Sequence, residues 1–180
     1  DKSIQLGDMG FKNQYTFMQK LMLEKEIKSV DHLFIPGNHD DYNHLPSNSL
    51  GDFGHKKIGQ HKVVWIRGAM SIDKRLRIPN IDWWQAEELS YNRGQDAIDL
   101  YNEILPDIVL SHDCPFKMLS NLYGTAHKEV TITGQILDTC FEIHQPKMWL
   151  FGHHHQDKTF QIGKTTFKCL GELSHVDLEL

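Results

Sequence analysis

The sequence is short of most features that mark an exported, membrane-embedded or nucleic-acid-coating chain. Only three cysteines occur, Cys114, Cys140 and Cys169. They are scattered, odd in number and form no CxxC pair, which argues against a disulfide framework. A reducing cytoplasm is the simplest setting for such a chain. No apolar run is long enough to span a bilayer and no signal-peptide pattern occurs, so no membrane association is expected. Positive charge is not in excess. Nineteen Lys and Arg stand against 24 Asp and Glu, a net charge of −5, which removes bulk attraction to nucleic acid. There is no HExxH, internal repeat, low-complexity tract or linker.

What is present suits an ordinary globular domain. The 180 residues are 39% hydrophobic and 24% charged, enough for a sizeable core, and the chain is read as one domain over 1–180. Histidine is abundant, with 12 residues. Several sit beside Gly, Asn or Asp.

The order of elements matters more than the composition. Ser3-Ile4-Gln5-Leu6 reads as a strand running into Gly7-Asp8. Residues 13–29 carry Phe17, Met18, Leu21, Met22 and Ile27 near helical spacing, with the methionines expected as core filler. His32-Leu33-Phe34-Ile35 is a second strand, ending in Pro36-Gly37-Asn38-His39-Asp40-Asp41. Residues 43–60 read as a surface excursion with one hairpin, in which His44, His55 and His61 are most simply solvated. Val63-Val64-Trp65-Ile66 is a β-branched strand. The segment after it carries Lys74, Arg75 and Arg77. That charge suits either a phosphate contact, assigned to Arg75, or a solvated loop.

Asp82-Trp83-Trp84 is expected to open a helix through Glu87, Glu88 and Leu89 that continues from Asp96 to Ile104 and stops at Pro106. The paired tryptophans read as packing groups. Asp107-Ile108-Val109-Leu110 is a buried strand capped by Ser111-His112-Asp113-Cys114, where Cys114 reads as structural. Thr133 to His144 is a helix with Thr133 as its cap. Met148-Trp149-Leu150-Phe151 is a short buried strand. It breaks at Gly152 into His153-His154-His155; on an extended backbone, His153 and His155 face one way and His154 the other. Lys158–Gln161 and Lys164–Phe167 form a hairpin around Gly163, and Val176 to Leu180 is a candidate last strand.

Each polar loop alone has an undramatic reading: a turn at Asp8, an Asn-rich turn at Asn38, solvated imidazoles at 153–155. Four such loops in a row, each after an apolar strand, place oxygen and imidazole ligands on one edge of a sheet, at strand ends where open α/β sheets put their chemistry. Imidazole, amide and carboxylate together suit Mn, Fe, Zn or Ni.

The order Gly7-Asp8, Gly37-Asn38-His39-Asp40, Ser111-His112 and Gly152-His153-His154-His155 resembles the calcineurin-like metallophosphoesterase superfamily. The run Arg67-Gly68-Ala69-Met70-Ser71-Ile72-Asp73 followed by Trp83-Trp84 resembles a phage or bacterial branch of it. The resemblance implies an α/β fold, a β-sandwich of mixed sheets flanked by helices. It also implies two divalent metal ions. Asp8 bridges both; Asn38, His112 and His153 complete one, and His155 binds the other. The implied reaction is hydrolysis of a phosphomonoester or phosphodiester by a hydroxide held between the metals, with His39 assisting the leaving oxygen. Such ions sit about 3.5–4 Å apart and clamp an in-line displacement. The substrate is a phosphorylated small molecule or nucleic acid, and the fold alone does not say which. The pattern departs from the family twice. Its upstream D-x-H motif is missing, so the sequence is read as lacking an N-terminal strand and helix. Phe11 stands where the family has an acid that orients the catalytic histidine. Those departures keep open a second reading, a non-catalytic metal-binding or protein-binding module on the same scaffold.

Overall fold

The structure is a computed structural model that describes residues 3–10, 17–29, 31–125 and 129–179. Phe11, His127 and the side chains of Phe17 and Ile27 lie outside the described residues. No described helix is long and apolar enough to cross a membrane.

The strands β1 (Ser3–Gln5) and β2 (His32–Phe34) form a parallel pair, joined through α1 (Phe17–Ser29). The main sheet has six strands. These are β3 (Phe53–Ile58), β4 (His61–Ile66), β5 (Ile108–Ser111), β6 (Met148–Phe151), β7 (Lys158–Ile162) and β8 (Thr165–Cys169). Their order is β3-β4-β5-β6-β8-β7, with antiparallel pairs at both margins and parallel pairing between.

Period-two alternation explains the layers. Val63, Ile108, Leu110 and Leu150 point to one face, where Ile35, Ile4 and Leu6 of the β1–β2 layer cover them. Val64, Ile66, Val109, Trp149, Phe151 and Phe167 point to the other. There they meet Ala97 and Tyr101 of α2 (Tyr91–Ile104). Ile136, Leu137, Cys140 and Phe141 of α4 (Ile132–Ile143) close the same face. A short α3 (Leu119–Tyr123) lies between α2 and α4 in the chain. The expected α/β fold, mixed strands flanked by helices, is therefore the one observed.

Several local expectations change. The helix expected from Asp82 starts only at Tyr91, because Ser90 caps it by accepting the Arg93 N–H at 3.4 Å; residues 85–87 form a single 3-10 turn. The cap of α4 is Thr131, not Thr133, and accepts the Gly134 N–H at 2.9 Å. Met18 and Met22 are 61% exposed and Leu21 49%, so these three are not core filler. Their spacing suits a helix, but in the structure that face is turned to solvent. Residues 176–179 form no strand, although Val176 and Leu178 pack on the β1–β2 side of the sheet.

Candidate active site

Two sheet layers, rather than one edge, bring the polar loops together. β5 and β6 are in register, Ser111 opposite Phe151, and the Gly152 N–H extends the ladder by donating to the His112 carbonyl at 3.0 Å. Gly152 and His112 therefore leave the main sheet side by side. β1 and β2 deliver Asp8 and Asn38 from the covering layer, Gln5 standing opposite Phe34.

The join between the layers is tight. A Cβ at Gly7, whose φ is 103°, would lie 1.8 Å from His112 Nδ1. A Cβ at Gly37 would lie 2.3 Å from Asp8 Oδ1 and 2.7 Å from His112 Cε1. Only glycine admits this approach. Asp8 itself adopts a φ of 52°. Gln5 Nε2 fastens the turn by donating to the carbonyls of Gly7 and Asp8 at 2.9 and 3.1 Å.

At the centre are His112, Asn38, Asp8 and His153. The buried His112 donates Nδ1–H to the Leu6 carbonyl at 2.6 Å, which leaves a lone pair on Nε2. That nitrogen lies 3.0 Å from Asn38 Oδ1 and 3.5 Å from Asp8 Oδ1. His153 Nδ1 lies 3.0 Å from the same Asn38 oxygen, its ring centroid 5.0 Å from that of His112. Acceptor atoms facing one another repel. With the Asn38 Nδ2–H given to Ser71 Oγ at 3.0 Å, only a cation among them, or an extra proton on His112, makes the contact attractive, so the donor set fits a divalent metal. Burial alone would raise the Asp8 carboxyl. Chiefly His112 and the His39 N–H, which donates to Oδ1 at 2.9 Å, outweigh it and hold the group below its ordinary value. Burial pushes the His153 imidazole down to about 3, keeping it neutral as a ligand must be.

His155 stands apart. Its Nδ1 meets Glu172 Oε1 at 2.8 Å, with the two side chains 60% and 76% exposed. The extended backbone expected here is not observed. His153 and His155 have φ of 62° and 52°, so alternation does not set where their rings point. Nor is His154 a solvated neighbour. Its Nε2–H donates to Asp113 Oδ1 at 2.9 Å, and its Nδ1 lies 2.9 Å from the Tyr123 hydroxyl. Among the described residues, Asp113, Cys114 and His154 form a triad able to hold a metal ion. They also satisfy one another, since Cys114 Sγ is 3.5 Å from His154 Nε2 and its N–H donates to Asp113 at 2.7 Å. Burial raises the Cys114 thiol well above its ordinary value, which fits the structural role expected for it.

A cavity of about 350 Å³ opens over these groups, lined by Asn38, His39, Ser71, Arg77, Asp113 and His153–His155 among others. Arg77 lines it and Arg75 does not; Arg75 is exposed. Arg77 is fixed by Asp73 at 2.6 Å and the Asp82 carbonyl at 3.1 Å, and it donates Nη1–H to His39 Nδ1 at 3.1 Å. Sequence reasoning passed over Arg77, Glu172 and the Asp113–His154 pair. Arg77 carried the only signal, as one of three cations following a strand.

Comparisons with known proteins agree with this architecture. Residues 3–157 match the family described as calcineurin-like phosphoesterase. A Staphylococcus aureus candidate 5′-nucleotidase crystallised with α-ketoglutarate superposes with a TM-score of 0.56 at 15% identity, over 94% of this chain and 32% of that one. This chain thus spans about a third of that protein's length. The Thermus thermophilus sulfate thiohydrolase SoxB with glycerol gives a TM-score of 0.39 at 16% identity, over 83% of this chain and 25% of that one, too low to bear on the fold. No curated protein matches the sequence.

Proposed function

The chain belongs to the calcineurin-like phosphoesterase family, and from that premise we propose that it hydrolyses a phosphomonoester or phosphodiester at a two-metal site built on Asp8. The observation that carries this reading is the convergence of Asp8 Oδ1, Asn38 Oδ1 and His112 Nε2, three acceptors with no donor to reconcile the His112–Asn38 contact. Asn38, His112 and His153 would hold one metal, Asp8 would share its carboxylate with both, and the remaining nitrogen of His155 would serve the other. Mn, Fe, Zn or Ni suit these ligands. Bound divalent cations supply positive charge to a phosphoryl group and ease the ionisation of water.

The chain's own residues do the rest. His112 is fixed as an Nε2 ligand by the Leu6 carbonyl. Because Arg77 occupies His39 Nδ1, neutral His39 carries its hydrogen on Nε2. Burial first, then Arg77, lower the His39 pKa against the pull of Asp8. His39 is thus a neutral hydrogen-bond donor to an ester oxygen near pH 7. Arg77, held by Asp73, offers the cleft a fixed cation for a phosphate oxygen. Nucleotide-like and other phosphorylated small molecules fit the cavity volume. Three buried free thiols favour a reducing cytoplasm.

The Glu172 contact of His155 favours one alternative, a module that keeps a single metal and no turnover. The discriminating experiment loads the protein with Mn²⁺, measures metal per chain, and assays p-nitrophenyl phosphate and its bis ester. Two ions and turnover support the enzyme. One ion with no turnover of either ester supports the single-metal module, and no ion with no turnover overturns the enzyme and leaves a protein-binding module on the same scaffold.

A further inference from the structure

Behind the metal-facing groups runs a file of three buried polar side chains. Asn38 is 2% exposed, Ser71 1% and Glu87 2%. Glu87 Oε1 accepts the Ser71 N–H at 3.0 Å, and Oε2 accepts the Ser71 O–H at 2.5 Å. An ionised carboxylate only accepts, so the single hydrogen of Ser71 is committed to it. Ser71 Oγ is left to accept, and takes Nδ2–H from Asn38 at 3.0 Å. This turns the amide nitrogen inward and the amide oxygen outward, to within 3.0 Å of both His112 Nε2 and His153 Nδ1.

An asparagine amide keeps nearly the same shape when flipped, so hydrogen bonds alone decide which end faces the site. Burying a carboxylate is costly, and a residue that only filled space here would not be acidic. The backbone of Glu87 is held independently, since its carbonyl accepts the Ala69 N–H at 3.2 Å. The loop can thus stay in place while the side chain sets polarity.

We infer that Glu87, acting through Ser71, is a positioning residue that keeps the oxygen of Asn38, and not its amide nitrogen, turned toward the metal. The inference rests on the metal reading proposed above. It concerns the direction of a hydrogen-bond chain, so it can be tested by reversing that chain. In Glu87→Gln, the new Nε2–H donates to Ser71 Oγ and frees the serine hydrogen. That buried hydrogen is satisfied when the adjoining Asn38 amide turns over to accept it, which presents N–H groups to the histidines. In Asn38→Asp, two carboxylates compete for one serine hydrogen. In the double variant the chain runs backwards but is complete. The introduced glutamine amide donates to Ser71, Ser71 donates to one oxygen of the introduced aspartate, and the other oxygen of that carboxylate faces the metal.

The experiment titrates Mn²⁺ into metal-free wild type, Glu87→Gln, Asn38→Asp and the double variant by calorimetry, with thermal melting of each metal-free protein. The relay predicts that Glu87→Gln weakens Mn²⁺ binding by about tenfold or more, as outer partners of metal ligands do. It predicts that Asn38→Asp added to Glu87→Gln restores affinity to within about threefold of wild type, a strong departure from additivity. The double variant is read directly, so poor folding of either single variant leaves the test intact. Wild type that binds Mn²⁺ while Glu87→Gln binds it equally well overturns the relay alone. So does a folded double variant that binds Mn²⁺ about tenfold or more weaker than wild type. Wild type that binds no Mn²⁺ overturns the metal reading and the relay together.

Discussion

The two walls of the cleft are built on different terms. The wall carried by β5 and β6 is closed and cross-braced. His112 is 2% exposed and Asp113 5%; His112 is tied to Leu6, Asp113 to His154, and Trp149 to Ser111 at 2.8 Å. Asp113 is held below its ordinary value although burial opposes this, because the His154 bond and neighbouring imidazoles outweigh it. The facing wall, residues 72–82, is turn and loop. Ile72 is 78% exposed, Leu76 88% and Ile78 56%, and the Arg77 fork braces the segment. A rigid wall suits metal ligands, whose geometry tolerates little error. A loop wall suits substrate contacts, which differ between relatives on one scaffold.

The comparison breaks most clearly at Asp8 and His112. Asp8→Asn keeps a residue that tolerates a φ of 52° but removes the charge. We expect it, and His112→Ala, to abolish Mn²⁺-dependent ester hydrolysis and the corresponding metal uptake. Retained full activity in both would show that the closed wall does not hold the metal. Gly37→Ala should be nearly as severe, since its Cβ would collide with both the backbone and the side chain of Asp8. Its readout is Mn²⁺ affinity beside the melting temperature, and the affinity should fall by at least about tenfold.

Arg77 probes the other wall. Arg77→Gln should leave Mn²⁺ binding intact and raise KM by roughly 10-fold or more, the worth of a charge-assisted contact to phosphate. Arg75→Ala, on the exposed side of the same turn, should change KM less than about twofold, as surface substitutions do. Equal effects of the two would dissolve the distinction between cleft-facing and solvent-facing charge.

A pH dependence of stability tests the closed wall from a different side. In the metal-free protein burial pushes the His153 imidazole down to about 3, against an ordinary 6.5. Its folded pKa is depressed, so below 6.5 the unfolded chain takes up a proton that the folded one refuses. His153 then disfavours folding progressively as pH falls from 6.5 toward 3, and has no effect above 6.5. The stability difference between wild type and His153→Gln should therefore shift by about 1.4 kcal/mol per pH unit between about pH 6 and 4, against the wild type as acid is added. Denaturant midpoints of both proteins across that range would show it, and a constant difference would contradict it.

Much of this wall was legible in the sequence. Apolar four-residue runs ending in Ser111-His112 and Gly152-His153 announced β5, β6 and their loops, because period-two burial and glycine breaks are local signals. Asp8 and Asn38 were legible for the same reason. Arg77 could not be told from Arg75, since which of two nearby arginines faces inward depends on the Asp73 and Asp82 contacts of one turn. The orientation of His153 and His155 was lost because left-handed φ at non-glycine residues overrides alternation. Glu87 read as a helix residue, because nothing in its neighbours reveals the Ser71 hydroxyl 16 positions away. Tertiary hydrogen bonds of this kind have no local periodicity.

The measurement that bears most directly on the closed wall is a crystal structure of the Mn²⁺-soaked protein with anomalous scattering data. The account predicts a peak within coordination distance, about 2.0–2.3 Å, of Asp8, Asn38, His112 and His153. A peak confined to Asp113, Cys114 and His154, or none at all at saturating Mn²⁺, would contradict it.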